Sequence, residues 1–354
     1  MEKLSFADFS SKVYQKARQN NSLTGIAWEL TYKCNLRCRH CYIPDKWKKD
    51  TTPELTLDQI KRVIDQLTRA GCMNILLTGG EIFCRKDALD ILQYLKDKCF
   101  DITIQTNGTL ITKEIAQLLS TFSPKIGLSI SLYALSEKTY SRIVGVRGAL
   151  ARVLRGIEFL KKQNAPFTIS MLVMRDNITE FDAVREFARK NEIRFQYDFI
   201  LQPRLDHTQD VLRYRLPLSL AKELREKEGD FLKNTDDCAQ LKKLRFAKEE
   251  LFYCAAGDTT MGINPFGKAN ICPDIPMPEA DVVKDDVSGA WQKVSAFRRG
   301  LTPTKSYACY QCDVGDFCMW CPAVALRHKN DLNACVPYYK KLAQLEKKAF
   351  YDTR

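Results

Sequence analysis

A chain of 354 residues, 45% of them apolar, can bury a sizeable core, and the length fits one large domain with a smaller appendage. Fourteen cysteines without a secretory signal or a bilayer-length apolar run argue against a disulfide scaffold and a membrane protein, and favour thiolate-bound metal in a reducing cytoplasm. The net charge of +12 raises nucleic acid as a partner, but Lys and Arg are dispersed, with modest clusters such as Lys46 to Lys49. No aromatic-basic RNA-binding motif accompanies them, so a solvated basic surface or an acidic peptide partner fits better.

The segment Phe6 to Asn20 is amphipathic and lacks the apolar core of a signal peptide. Strand patterns follow at Ile26 to Thr31, Asn74 to Leu77, Ile102 to Gln105, Ile126 to Leu132, Phe167 to Val173 and Phe195 to Leu201. Between them, apolar residues at helical spacing predict helices over Leu57 to Arg69, Ala88 to Lys96, Lys113 to Leu119, Ala149 to Lys162 and Phe181 to Lys190, with Thr56 and Thr112 placed as N-caps. Such alternation implies parallel strands with helical crossovers, hence an α/β barrel or open sheet whose site lies at the strands' C-terminal ends.

Just past the first strand, Cys34, Cys38 and Cys41 form C-x-x-x-C-x-x-C with His40 before the last. Three thiolates on one loop can hold three irons of a 4Fe-4S cluster and leave the fourth open to another ligand. A structural zinc site or three unrelated buried thiols are the alternatives left by spacing alone. The second strand runs into Thr78, Gly79, Gly80 and Glu81, where glycines let backbone approach a ligand and a carboxylate can meet an ammonium group. The third ends in Thr106, Asn107 and Gly108, and the fourth carries Ser129 and Ser131, so small polar groups converge on one rim.

These motifs, with Ser131-Leu132-Tyr133-Ala134, resemble the radical S-adenosylmethionine (SAM) superfamily over about residues 24–205. The resemblance implies a partial (β/α)6 TIM-like barrel over 24–216. It implies that Cys34, Cys38 and Cys41 bind the cluster, and that SAM chelates the free iron and is reductively cleaved to a 5'-deoxyadenosyl radical. By the same likeness His40 lies against the adenine, and Gly79, Gly80 and Glu81 meet the SAM amino group. Thr106, Asn107, Ser129 and Ser131 supply polar contacts to ribose or carboxylate, and Arg142 binds the carboxylate. Ala134 stands where relatives often have glycine.

After a Lys/Glu-rich stretch from Leu220 to Glu250, read as a helical linker over 217–250, seven cysteines return in the pattern C-x12-G-x4-C, then C-x2-C-x5-C-x2-C-x13-C. This resembles the small Cys-rich SPASM domain, here 251–340 with a last helix over 341–354, which carries up to two auxiliary 4Fe-4S clusters. The likeness implies that Cys309, Cys312, Cys318 and Cys335 fill one cluster. Cys254, Cys272 and Cys321 hold the other, whose open iron takes a substrate thiolate, a water, or a side chain such as Cys238 or Asp274. Paired C-x2-C also suits structural zinc. Cys72, Cys84 and Cys99 read as ordinary buried thiols.

Three clusters suit a reaction in which a substrate radical is oxidised. The family likeness therefore implies a peptide maturase forming thioether or carbon-carbon cross-links or another modification, with an external electron donor such as flavodoxin or ferredoxin. A tetrapyrrole maturase is the alternative, and a zinc-stabilised nucleic-acid-binding protein a minor one. Only the residues before Ile26 precede the first strand, so the peptide is expected to be held by the barrel, the C-terminal domain or a separate leader-binding protein. The stretch Asp198 to Leu216 is placed to close the barrel mouth, where Arg204, Arg213 and Arg215 could bind acidic groups. Asp198 and Asp274 are the acid–base candidates, by position only.

Overall fold

The computed structural model describes residues 6–98, 100–122, 126–228, 250–305 and 307–352. Among these residues the α-helices are α1 Phe6–Gln19, α2 Asp45–Lys48, α3 Leu57–Arg69, α4 Ala88–Lys96, α5 Lys113–Ser120, α6 Glu137–Val144, α7 Ala149–Lys162, α8 Phe181–Lys190, α9 Leu218–Glu228, α10 Asp286–Gly300, α11 Pro322–Lys329 and α12 Pro337–Asp352. The strands are β1 Gly25–Thr31, β2 Asn74–Gly79, β3 Asp101–Thr106, β4 Ile126–Ser131, β5 Phe167–Leu172, β6 Arg194–Asp198, β7 Thr260–Ile263, β8 Lys268–Asn270 and β9 Ala280–Asp281.

They form one sheet in the order β6-β5-β4-β3-β2-β1-β7-β8-β9. The first six strands pair in parallel with their sequence neighbours, β7 adds to β1 in parallel, and β8 and β9 complete the edge antiparallel. The expected partial barrel is therefore present, and the C-terminal part extends its sheet directly.

Why the strands form is visible in β3, where buried Ile102 and Ile104 alternate with exposed Thr103 and Gln105. The apolar face lies under the helices. A parallel sheet covered on both faces would read as a continuous apolar run, so the polar alternation marks a concave face turned to a cavity. Helix α3 buries Ile60, Val63, Ile64 and Leu67, spacing that sets one stripe against the sheet and contributes about 2 kcal/mol per side chain. Thr56 Oγ1 accepts from Gln59 N at 3.3 Å while Gln59 Oε1 accepts from Thr56 N at 2.8 Å, a reciprocal cap. Thr112 likewise accepts from Ile115 N.

Some boundaries differ from expectation. The sixth strand stops at Asp198 because its Oδ1 takes the Ile200 N–H at 2.8 Å and turns the chain. The last helix begins at Pro337, ahead of residue 341, proline being suited to a helix's first turn. Of the Lys/Glu-rich stretch, α9 occupies Leu218–Glu228; residues 229–249, including Cys238, and Cys99 lie outside the described residues.

Candidate active site

The cysteine loop leaves β1 at the C-terminal rim of the sheet and is fixed from two sides. Arg37 N donates to Val144 O at 2.9 Å and Arg39 N to Ile143 O at 3.0 Å, so the loop caps the last carbonyls of α6. Gly145 ends that helix at φ +70°, and a Cβ there would stand 2.8 Å from Arg37 O. From the other side Arg204 Nη1 donates to Cys41 O at 2.9 Å. Cys34, Cys38 and Cys41 all face a cavity of about 610 Å³ at the ends of the parallel strands. Burial raises the Cys34 thiol and drives the Cys38 thiol well above the usual range, so thiolates there depend on bound positive charge. Beside Cys41, burial opposes the Lys48 charge, but Cys41 and Asp45 outweigh it and raise that ammonium's pKa.

The Gly79–Gly80 pair serves a different purpose from the one expected. A Cβ on Gly80 would lie 2.2 Å from Lys33 O, and one on Gly79 2.4 Å from Thr31 O, so the close approach is to the backbone entering the cysteine loop. Gly80 N and Glu81 N donate to Thr31 O and Lys33 O, which welds β2 to the loop. Both glycines still line the cavity with backbone.

Glu81 is a correction. Its carboxylate is fully buried, lies outside the cavity lining, and accepts from Thr106 Oγ1 at 2.8 Å, Asn107 N at 2.7 Å and Phe83 N at 3.3 Å. Burial pushes it up to about 7 despite these donors. It braces the end of β3 from behind, where an ammonium in the cavity does not reach it. Arg142 is the second correction: it is exposed on α6, is not in the lining, and donates to Asp176 O at 3.0 Å.

Thr106, Asn107, Ser129 and Ser131 do line the cavity, with Gln105 and Ser170 added by the structure. His40 lines it too, edge-on to Tyr133 at 4.7 Å between centroids, with a buried and unpartnered Nδ1. Burial, then Lys48 and Arg204, lower its pKa to about 4, so the ring is neutral near pH 7.

The expected roles of the arginines after β6 also change. Arg204 pairs with Asp210 at 2.9 Å, Arg213 lies over the Tyr214 ring, and Arg215 bonds Leu201 O and stacks on Tyr338. All three are committed within the protein. Ile200, Leu201 and Gln202 of the same stretch do wall the cavity.

Asp198 and Asp274 both reach the cavity. Burial raises the Asp198 pKa. Asp274 pairs with Arg327 of α11, whose other amino group bonds Pro203 O, so this arginine joins the Cys272 segment to the loop after β6. Cys272 is driven well upward by burial first, then by Asp274, with Cys321 and Cys254 also close enough to add. Cys254, Cys321 and Asp274 are thus within electrostatic range of Cys272. Cys321 occupies the N-cap position of α11, its side chain making no cap hydrogen bond, and burial pushes its thiol up to about 11. Cys335 lies near Cys312, while Cys309 and Cys318 are half-buried against the core. Among the described residues no three His, Cys, Asp or Glu converge on a single-ion position; cluster thiolates, one to each iron, stand further apart. Cys72 is buried as expected, and Cys84 only half-buried.

One group escaped sequence reasoning. Glu29, in mid-β1, is 2% exposed and accepts from Tyr32 OH at 3.1 Å and Tyr42 OH at 3.0 Å, and Tyr42 faces the cavity. Burial pushes its carboxyl up to about 7. An acidic residue inside an apolar strand was the available signal.

A half-barrel of parallel strands with three cysteines, a glycine-rich rim and an open polar cavity defines a class of cluster-dependent enzymes. A family model for the radical SAM superfamily matches residues 28–188. A probable GTP 3',8-cyclase of Thermococcus kodakarensis is 34% identical over 215 residues, 59% of this chain and 68% of that one. The AdoMet-dependent heme synthase of Methanosarcina barkeri is 28% identical over 335 residues, 88% of this chain and 95% of the other. The crystal structure of Streptococcus suis SuiB bound to S-adenosylmethionine shares the fold at a TM-score of 0.68, with 17% identity, over 94% of this chain and 80% of that one.

The chain belongs to the radical SAM superfamily, whose members bind SAM and a 4Fe-4S cluster. The residues present fit both groups: three cavity-facing sulfurs, N–H donors from Leu36 and Asn107 aimed at Cys34, bare glycine backbone on the rim, and the orphan His40 Nδ1. Among the described residues no helix is long and apolar enough to cross a membrane.

Proposed function

We propose that the protein is a radical SAM maturase acting on a residue of a ribosomally made peptide. Bound at Cys34, Cys38 and Cys41, the cluster and SAM would supply a 5'-deoxyadenosyl radical that abstracts hydrogen. The protein's part is to position and to exclude water. His40 would lie against the adenine, Gly79 and Gly80 would offer backbone carbonyls to the SAM amino group in place of Glu81, and Ser129 and Ser131 would meet ribose or carboxylate, the Thr106 hydroxyl being taken up by Glu81 and Gly108 N.

The observation that carries the peptide reading is the cavity's size and charge. Its 610 Å³ can seat cluster, cofactor and a reacting side chain, and its open mouth would leave the rest of a peptide outside. Its walls are mostly neutral. Among the described residues Arg327 is the one cation in the lining, and it is already paired with Asp274 and Pro203 O, so none of them offers a free counter-ion to the acid side chains of a tetrapyrrole. SuiB, alike in fold, has been solved with a precursor peptide, SuiA.

The C-terminal cysteines would hold two auxiliary clusters, one on Cys254, Cys272 and Cys321 with an open iron beside Asp274, the other on Cys309, Cys312, Cys318 and Cys335. These would take the second electron from an oxidised substrate, with Asp198 or Asp274 accepting its proton. A flavodoxin or ferredoxin would reduce the first cluster.

Anaerobic incubation with SAM, reductant and short peptides encoded beside the gene tests the proposal. We expect 5'-deoxyadenosine together with a peptide lighter by two hydrogens for a cross-link, or carrying solvent deuterium for epimerisation. The heme synthase likeness, which spans nearly the whole of that relative, favours a second reading, an iron porphyrin substrate. 5'-Deoxyadenosine formed with a changed porphyrin and unchanged peptides would decide for it.

A further inference from the structure

The side-chain amide of Asn107 has an orientation dictated by its neighbours. Its Oδ1 accepts from the Thr109 backbone N–H at 2.9 Å and from Thr109 Oγ1 at 2.6 Å. A backbone N–H can only donate, so the atom facing it is the amide oxygen, and the NH2 group points the other way. There it meets Asn35 Oδ1 at 3.0 Å and Cys34 Sγ at 3.8 Å. Asn35 Nδ2 donates in turn to Thr109 Oγ1 at 2.8 Å, which closes a ring of three side chains drawn from the cysteine loop and the end of β3. Glu81 clamps the Asn107 backbone N–H at 2.7 Å, so the residue is held at both ends. A second donor, Leu36 N, approaches the same sulfur at 3.4 Å.

We propose that Asn107 is a positioning and tuning residue of the radical-generating cluster, donating its side-chain N–H to the Cys34 sulfur, and is not a SAM contact. The free thiol seen at Cys34 stands for the thiolate of the loaded protein. An N–H donated to a cluster thiolate withdraws charge from it and stabilises the reduced cluster, because reduction adds negative charge. Hydrogen bonds to sulfur are among the means by which a protein sets a cluster's potential, and a donor fixed by partners of its own loses little on reorganisation. The inference rests on the superfamily's cluster and is independent of the substrate.

The test uses the full chain loaded with iron and sulfide and reduced anaerobically without SAM. With side-chain amides of asparagine labelled with nitrogen-15, pulsed EPR of the reduced cluster should show a nitrogen coupling that changes isotope, and that coupling should vanish in Asn107→Ala and Asn107→Asp. In an EPR potentiometric titration the Asn107→Ala midpoint should move negative, so that the reduced-to-oxidised ratio at the wild-type midpoint falls about tenfold, 59 mV for a one-electron couple. SAM affinity, read from the change in the EPR signal on adding SAM, should stay unchanged. An unchanged midpoint with weakened SAM binding overturns the proposal and makes Asn107 a SAM contact. Absence of any isotope-sensitive coupling in the wild-type protein overturns it without reference to a variant's folding, and Thr109→Val, which removes one restraint on the amide, should move the midpoint less and in the same direction.

Discussion

The two cysteine-bearing regions are built in opposite ways. The loop carrying Cys34, Cys38 and Cys41 is hydrogen-bonded to the end of α6, to the glycines after β2 and to Arg204, and its three thiols are at least half-buried. The C-terminal cysteines ride on short 3-10 turns at Ala308–Gln311 and Gly315–Phe317 and on the start of α11, and Cys254 and Cys335 are exposed. The first region is preorganised by a sheet that folds for its own reasons. The second has little local structure to hold its thiols, so metal ligation would contribute to its order.

The sharpest way to break this contrast is Cys38→Ala, at the middle of the three loop thiols. It should abolish 5'-deoxyadenosine formation and remove about four irons, following from one 4Fe-4S site, while circular dichroism of the barrel is retained. Iron chelation should separate the regions. Hydrogen exchange should rise over 307–336 well before it rises over β1 to β6, and equal rates in both would contradict the difference drawn above.

Gly80→Ala attacks the preorganised side. Its Cβ would meet Lys33 O at 2.2 Å, backbone against backbone, so a loss of about 3 kcal/mol is expected in denaturant melts, with reduced cluster loading.

A pH effect comes next. Glu29 is held near 7 against 4.5 for a free carboxyl, so the folded state binds the proton more tightly. The stability it retains is present below about 4.5 and is lost as pH rises toward 7. Thermal melts of Glu29→Gln should therefore gain on the wild type as pH rises through that window; a constant gap would refute the buried carboxyl's role. The smallest effect is Thr56→Ala, about 1 kcal/mol from the lost reciprocal cap of α3, read as a lowered midpoint in urea.

The cysteine loop, the rim glycines and the caps at Thr56 and Thr112 were legible in the sequence because each depends on local spacing. Glu81 and Arg142 were misplaced by the same reasoning. Motif position says that a residue lies near the rim but not which side of the backbone its side chain takes, and Glu81 turns behind the rim because Thr106 and Asn107 satisfy its buried oxygens there. Glu29 shows in the sequence only as an acid inside an apolar strand, and its two phenol partners do not show at all, because no spacing rule connects Tyr32 and Tyr42 to it.

By itself the sequence determined the alternation of strands and helices and the clustering of thiols, since periodicity and ligand spacing are properties of short stretches of chain. The tertiary structure alone decided that β7 continues the barrel's sheet, that Arg327 reaches from α11 to Asp274 and Pro203, and that the Asn107 amide faces Cys34. Those contacts join residues tens to hundreds of positions apart, and which polar atom faces which is set by packing and hydrogen-bond satisfaction across the whole fold.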